Sequence, residues 1–376
     1  MTSTSFQKKS KAKILQIPGA KPSLYNNQLL ISTGIPSLDS IIGGGVAVGT
    51  VFLLEEDAYG NYGRLMLKYF CSEAVMTGHS LHLTSADRDP QQILKELPAP
   101  IIDDPGPPPE DATNQSDEHM KIAWRYQHLP KYQSNPTSIK FGHYYDLTKT
   151  MDPELTNSID HSTISEADLC TCSSSSISMN EKYALLLEKI KQKIDDGKFS
   201  TTTQHAQHDK RNILRIGIHS LGSPQWGENG GMKGENFDFS LSRFLYGCRA
   251  LLRSAFAVMM ITVQSHLFHP AFVGRLRKLC DTVIQLESFA GSEKNPACKE
   301  YHGLLKIHQL PRLNSLLCHM PDTLDLGFKL RRKKFTIEKL HLPPELSETA
   351  SRPQEDPVYK KSPAGCGSTG KSKIDF

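Results

Sequence analysis

Two stretches of this chain carry the layout of a phosphate-binding loop. Residues Gly365-Cys366-Gly367-Ser368-Thr369-Gly370-Lys371-Ser372 match G-x-x-x-x-G-K-[ST] letter for letter. In that pattern the glycines admit close backbone approach, the lysine meets the β- and γ-phosphates, and the serine holds Mg²⁺. The setting is missing, however. No strand pattern precedes the match, and four residues follow Ser372, too few to open a helix. A glycine-rich segment without that frame loses its full ordering entropy on binding, so no phosphate site is expected there.

The second stretch has the setting without the letters. An apolar run at 51–54 reads as a buried parallel strand, and a helical pattern runs from 64 to 77 with Leu67, Phe70, Cys71, Ala74 and Val75 on one face. Gly78 ends that helix, and a second apolar run follows at 81–84. Strand, loop, helix and strand make a βαβ unit, whose crossover is right-handed if the strands are parallel. A loop at the first strand's carboxyl end and the helix amino terminus offer free N–H groups to a phosphate. Aligned by its flanking elements, Glu56 falls on the first glycine and Asn61 on the last. Tyr62 falls on the lysine and Gly63 on the serine, with Gly60 before them and Arg64 after. Glu56 and Asp57 would repel a triphosphate.

The apolar run at 213–218 ends in His219-Ser220-Leu221, and the run at 81–84 leads into Ser85-Ala86-Asp87. Upstream stands Thr33-Gly34-Ile35-Pro36-Ser37-Leu38-Asp39, then Ile41-Ile42-Gly43-Gly44-Gly45. This signature before a strand resembles the RecA/KaiC ATPase superfamily. The fragments STGIPSLDSIIGGGVAVGTVFLLEED, KIAWRYQ, FGHYYD, RNILRIGIHSLGSPQWG and FKLRRKKFTIEKLHLPPEL narrow this to a resemblance with the family of fourth subunits of the Elongator complex, spread over about residues 30–346.

The resemblance implies an α/β, RecA-like fold: a mostly parallel central β-sheet flanked by helices, with a long irregular insertion and disordered termini. It implies that the Mg²⁺-holding aspartate is replaced by His219 and the first acid of the water-activating pair by Ala86, leaving Asp87. Neutral imidazole suits hard Mg²⁺ poorly. Gly60, Asn61, Tyr62, Gly63, Arg64 and His219 are then a degenerate nucleotide pocket with no catalytic residue. It further implies an accessory role in 5-position modification of the tRNA wobble uridine. The partners would be Elongator subunits five and six in a heterohexameric ring, the catalytic Elongator subcomplex, and tRNA. No cofactor is assigned to this chain, with ATP at ring interfaces left open. A stand-alone ATPase and a nucleic-acid binder acting alone are the alternatives.

The remaining chain sets bounds. A formal net charge of +4 is mild, so any nucleic-acid contact must come from local clusters. Candidates are Arg275, Arg277 and Lys278 on a predicted helix at 271–279, and Arg331, Arg332, Lys333 and Lys334 in a predicted closing strand region at 328–340. The aromatic run Phe141-Gly142-His143-Tyr144-Tyr145-Asp146 suits either base stacking or packing onto the core. Residues 1–27, with Lys8, Lys9, Lys11 and Lys13, are expected to be a disordered basic tail, 28–346 the folded domain with an insertion at about 101–210, and 347–376 a second tail. Eight cysteines show no C-x-x-C, and Cys170-x-Cys172 is too tight for a zinc pair, so free thiols and no metal site are expected. No apolar leader and no run near 18 apolar residues occur, pointing to cytoplasm and nucleus and to no membrane partner. Further strands are predicted at 257–263, 281–289 and, at the sheet edge, 303–310, with helices at 181–195 and 239–256.

Overall fold

The computed structural model describes residues 17–23, 28–101, 141–169, 179–202, 211–227, 232–233, 236–237, 239–291, 300–313, 319 and 321–340. Among these a nine-stranded sheet holds the fold together. In chain order its strands are β1 (Val51–Glu55), β2 (Ser80–Ser85), β3 (His161–Ile164), β4 (Leu214–His219), β5 (Ala257–Val263), β6 (Thr282–Ser288), β7 (Gly303–Gln309), β8 (Leu326–Leu330) and β9 (Phe335–Lys339). Across the sheet they run β9-β8-β7-β6-β1-β5-β4-β2-β3. From β6 to β3 every pairing is parallel, and from β6 to β9 every pairing is antiparallel. The α/β, RecA-like arrangement with a mostly parallel centre is therefore present.

The helices are α1 (Pro36–Ile41), α2 (Asn61–Thr77), α3 (Pro90–Lys95), α4 (Pro153–Asn157), α5 (Glu181–Asp196), α6 (Ser240–Arg253) and α7 (Pro270–Leu279). They cover both faces of the sheet, which is why β1 and β5 read as unbroken apolar runs. Phe52, Leu54, Val258 and Met260 enter a core shared with α1 and α2, while Val51, Leu53, Met259 and Ile261 enter one shared with α5, α6 and α7. The two-residue strand period thus feeds alternate side chains to opposite layers.

The Thr33–Asp39 signature proves to be a structural knot. Asp39 accepts hydrogen bonds from Thr33 N (2.9 Å), Thr33 Oγ1 (2.8 Å) and Ser32 Oγ (2.5 Å). Gly34 is in the left-handed region at φ +84, and a Cβ there would lie 2.3 Å from the Tyr69 carbonyl oxygen, so only glycine lets this turn touch α2. The adjoining edge strand β9 is shielded from open pairing. Its Phe335 N donates to Tyr69 Oη (3.2 Å) and its Ile337 N to Ser37 Oγ (3.1 Å).

Beneath α2 lies a charged cluster with almost no contact with solvent. Arg215 of β4 is fully buried and donates from Nε to Nδ1 of His79 (3.0 Å) and from a terminal nitrogen to Ser32 O (2.8 Å). His79 Nε2 in turn donates to Pro18 O (2.8 Å), which fixes its neutral tautomer. Glu73 accepts from Tyr145 Oη (2.6 Å), His143 N (3.1 Å) and His143 Nδ1 (3.1 Å). Burial pushes the Glu73 carboxyl up, but His143, Arg215 and Tyr145 outweigh it and hold it below the usual range.

Several expectations change at the boundaries. Part of the expected amino-terminal tail is built in: Ile17 is buried, and Ala20–Pro22 pairs antiparallel with Leu29–Ile31. The expected insertion supplies β3 to the central sheet, hidden from periodicity because His161, Ser162 and Thr163 are polar edge residues. Strand β7 is internal rather than an edge, because the 328–340 segment is a hairpin of β8 and β9 that continues the sheet beyond it. Helix α2 begins three residues before the predicted start, which brings Asn61, Tyr62 and Gly63 into its first turn. The Gly365–Ser372 match, the 1–16 basic run, the KIAWRYQ fragment and Cys170-x-Cys172 lie outside the described residues.

Candidate functional site: a phosphate loop closed by its own carboxylates

The loop after β1 ends in Gly60, left-handed at φ 64, which caps α2. At this point a phosphate loop directs its amides at an anion. Here the anion comes from the chain. Asp57 Oδ1 accepts from Tyr62 N (3.0 Å) and Gly63 N (3.4 Å), and Gly60 N donates to Asp57 O (2.8 Å). Asp57 is 1% exposed. The next layer is closed by Glu56, itself 3% exposed, whose Oε1 accepts from Ser220 Oγ (2.8 Å). A Cβ on Gly63 would sit 2.7 Å from Glu56 Cγ, so the serine or threonine of a working loop does not fit over this glutamate. Burial raises the Glu56 carboxyl, opposed by bonds from Thr262 and Ser220 and reinforced by the charges of Asp87 and Asp57.

Tyr62, at the lysine position, does not reach toward the loop's anion. Its ring lies 4.6 Å from Phe328 and 6.3 Å from Phe335, on the β8–β9 hairpin. The antiparallel wing thus uses this position as an apolar anchor. Arg64, one step along α2, has its guanidinium pKa lowered by burial and then by Arg88. At the carboxyl ends of β2 and β4, Ser85 Oγ lies 3.2 Å from His219 Nδ1, and Arg88 N donates to Ser85 Oγ (3.2 Å). Ser223 Oγ donates to Asp87, whose pKa is raised first by burial. Burial, then Arg64 and Arg88, push His219 down to about 4, so it sits neutral at pH 7. The structure therefore gathers Gly60, Asn61, Tyr62, Gly63, Arg64 and His219 at one end of the sheet. Among the described residues no group of three or more His, Cys, Asp or Glu could hold a metal ion.

Three buried imidazoles give this fold an acid limit. Burial lowers His79 to about 3, His82 to about 4 and His219 to about 4. All three folded values lie below an unfolded histidine at about 6.5, so the unfolded chain binds more protons as pH falls, and stability is lost from about pH 6.5 down to about 4. Asp39, pushed up to about 6 by burial, and Glu56 act in the opposite sense and offset part of the loss. Near pH 6.5 each unfolded imidazole is half protonated, so the three together change stability by roughly 2 kcal/mol per pH unit there, rising toward about 4 below pH 5.5, where Asp39 opposes them; His308, also lowered by burial, adds in the same sense. Urea midpoints measured from about pH 7.5 to 4.5 should fall steadily, and His82→Gln should flatten the fall; midpoints that do not move would contradict the assignment.

The basic candidates separate by role. Arg277 makes a bidentate pair with the buried Glu55 at the end of β1 (2.5 and 2.8 Å), so its guanidinium is engaged inside the fold. Arg275 lies over the Phe239 ring at 4.8 Å, and Lys278 is exposed at the end of α7. Arg331, Arg332, Lys333 and Lys334 form the exposed turn between β8 and β9, closed by Arg331 N donating to Lys334 O (2.9 Å). Sequence reasoning missed the capping role of Asp57 and the Arg215–Glu73 cluster. The available signal was a charged residue inside an otherwise apolar strand or helix face. The described cysteines Cys71, Cys248 and Cys280 are free and buried. No helix among the described residues is long and apolar enough to cross a membrane.

Comparison with known proteins gives the family. The PAXNEB protein family matches residues 13–376. Elongator complex protein 4 of Danio rerio is 48% identical over 379 residues, covering 97% of this chain and 94% of the relative. Elongator complex protein 4 of Homo sapiens is 44% identical over 405 residues, covering 99% and 94%. The Saccharomyces cerevisiae protein of that name is 22% identical over 397 residues, covering 92% and 80%. The chain belongs to the PAXNEB family, and its similarity to these Elongator complex protein 4 relatives runs along nearly its whole length.

Proposed function

We propose that this chain is a non-catalytic subunit of the Elongator complex that supports 5-position modification of the tRNA wobble uridine. Its place is a heterohexameric RecA-like ring with the fifth and sixth subunits, which binds tRNA and meets the catalytic subcomplex in cytoplasm and nucleus. The observation that carries this reading is full-length similarity to Elongator complex protein 4, joined to a phosphate loop whose amides are held by Asp57. ATP at a ring interface would be held chiefly by a neighbouring subunit, since this chain's loop turns carboxylates inward.

The test is mass spectrometry of tRNA nucleosides from cells lacking this chain, with and without its return. Loss of 5-substituted wobble uridines, restored by the wild-type chain and, at matched levels of folded protein, by Tyr62→Ala, supports an accessory subunit that needs no local nucleotide chemistry. Unchanged nucleosides would refute it.

A further inference from the structure

We propose that the cleft between α1, the His143–Tyr145 segment and β9 takes an unpaired RNA base, with the β8–β9 turn holding the adjoining phosphates. The cleft encloses about 400 Å³, within the range of small-ligand sites. Pro36, Ser37 and Ser40 form one wall, Lys334, Thr336 and Glu338 the other, and Tyr69 lies at its base.

The aromatic run at 141–145 splits into distinct roles here. Phe141 lies under the Lys21 ammonium at 3.7 Å. His143 and Tyr145 bond to buried Glu73, and the Tyr145 ring stands edge-on to Tyr69 at 5.6 Å. Tyr144 alone of these rings points outward, 51% exposed. Its backbone is fixed on both sides: Ile101 N donates to Tyr144 O (2.7 Å), and the flanking residues are tied to Glu73. A half-exposed aromatic ring carried on a fixed backbone at the mouth of a cleft has the placement of a stacking platform.

The second observation is charge. Leu147 N donates to Lys333 O (2.9 Å), which fastens the basic turn beside the same segment. Arg331, Arg332, Lys333 and Lys334 are all exposed, and none forms a salt bridge with a described residue. Nearby Glu338 is already paired with Lys329 (3.0 Å). Lys333 already helps to lower the Asp146 carboxyl and Arg331 that of Glu338, but four exposed cations on one turn still exceed these carboxylates and call for a polyanion, and the exposed ring selects one whose flat faces are open. A paired base has its faces covered by its neighbours in the helix, whereas bases in loops can be splayed out and stacked on tyrosine. An acidic peptide would use the cations and leave the platform idle.

This inference rests on the proposed tRNA-binding role, and its test reads separately. The full chain is titrated by anisotropy with a labelled single-stranded RNA and with the same sequence closed into a hairpin, at several salt concentrations. Tyr144→Ala should weaken single-stranded binding roughly tenfold and leave the salt slope unchanged, because stacking releases no counterions. Tyr144→Phe should restore the affinity. Lys333→Ala with Lys334→Ala should lower the salt slope by about 2 and weaken both RNAs alike. The inference fails if Tyr144→Ala binds as wild type, or if polyglutamate displaces the RNA with no dependence on Tyr144. Should wobble modification persist without this chain while Tyr144 still governs RNA binding, the proposed function falls and the cleft stands. Lost modification with Tyr144→Ala indistinguishable from wild type in binding would remove the cleft alone.

Discussion

Replacing Arg215 with methionine is expected to destabilise the fold by about 3–5 kcal/mol, the usual cost of removing one partner from a buried charged pair. The reason is what remains. His79 Nδ1 loses its donor, the Ser32 carbonyl loses a bond of 2.8 Å, and buried Glu73 loses its nearby cation. The guanidinium also lies over the Phe70 ring at 4.8 Å, a contact methionine only partly replaces. Thermal unfolding should shift down by roughly 10 °C for a domain of this size. Arg331→Met, in the exposed turn, should stay within about 0.5 kcal/mol and serves as the control. Combining Arg215→Met with Glu73→Gln should cost less than the two changes summed, since the second removes the charge that the first strands. A loss under about 1 kcal/mol for Arg215→Met would mean that the cluster is not stabilised through this cation.

Restoring the missing lysine alone is expected to leave ATP binding undetectable. In Tyr62→Lys the new ammonium would still face a loop whose amides belong to Asp57. A phosphate entering there must displace two hydrogen bonds to a carboxylate, each contributing about 1.5–3 kcal/mol, and then sit beside Glu56 and Asp57. That penalty corresponds to an affinity loss of roughly 10² to 10⁴. Tyr62→Lys combined with Asp57→Gly frees both amides and removes one charge, so measurable binding of Mg-ATP should appear by isothermal titration. Micromolar binding by Tyr62→Lys alone would show that the Asp57 cap gives way easily, and the closed-loop reading would be abandoned. Tyr62→Lys also withdraws a ring from Phe328 and Phe335, so some loss of stability should accompany it.

Much of this protein could be read from its residues in line. Local pattern locates β1 and β5 as unbroken apolar runs, because helices cover both of their faces, and α2 and α5 by a near-four-residue apolar repeat, because each is buried on one side. The residue types at Tyr62, Gly63 and His219 can be read from the line as well, since each is a matter of which residue stands at an aligned position. Strand β3 cannot, because a polar edge strand carries no such pattern. What only the tertiary structure decided is who answers whom. Asp57 could be read as a charge that repels phosphate, but only the fold shows it turned onto the helix amides in phosphate's place. Arg277 looked like a surface cation until Glu55, distant in sequence, was found holding it. Tyr144 and the Arg331–Lys334 turn stand nearly two hundred residues apart and are brought together by bonds such as Leu147 N to Lys333 O and Phe335 N to Tyr69 Oη. Propensity and pattern are properties of neighbours along the chain, whereas a hydrogen-bond partner is a property of neighbours in space.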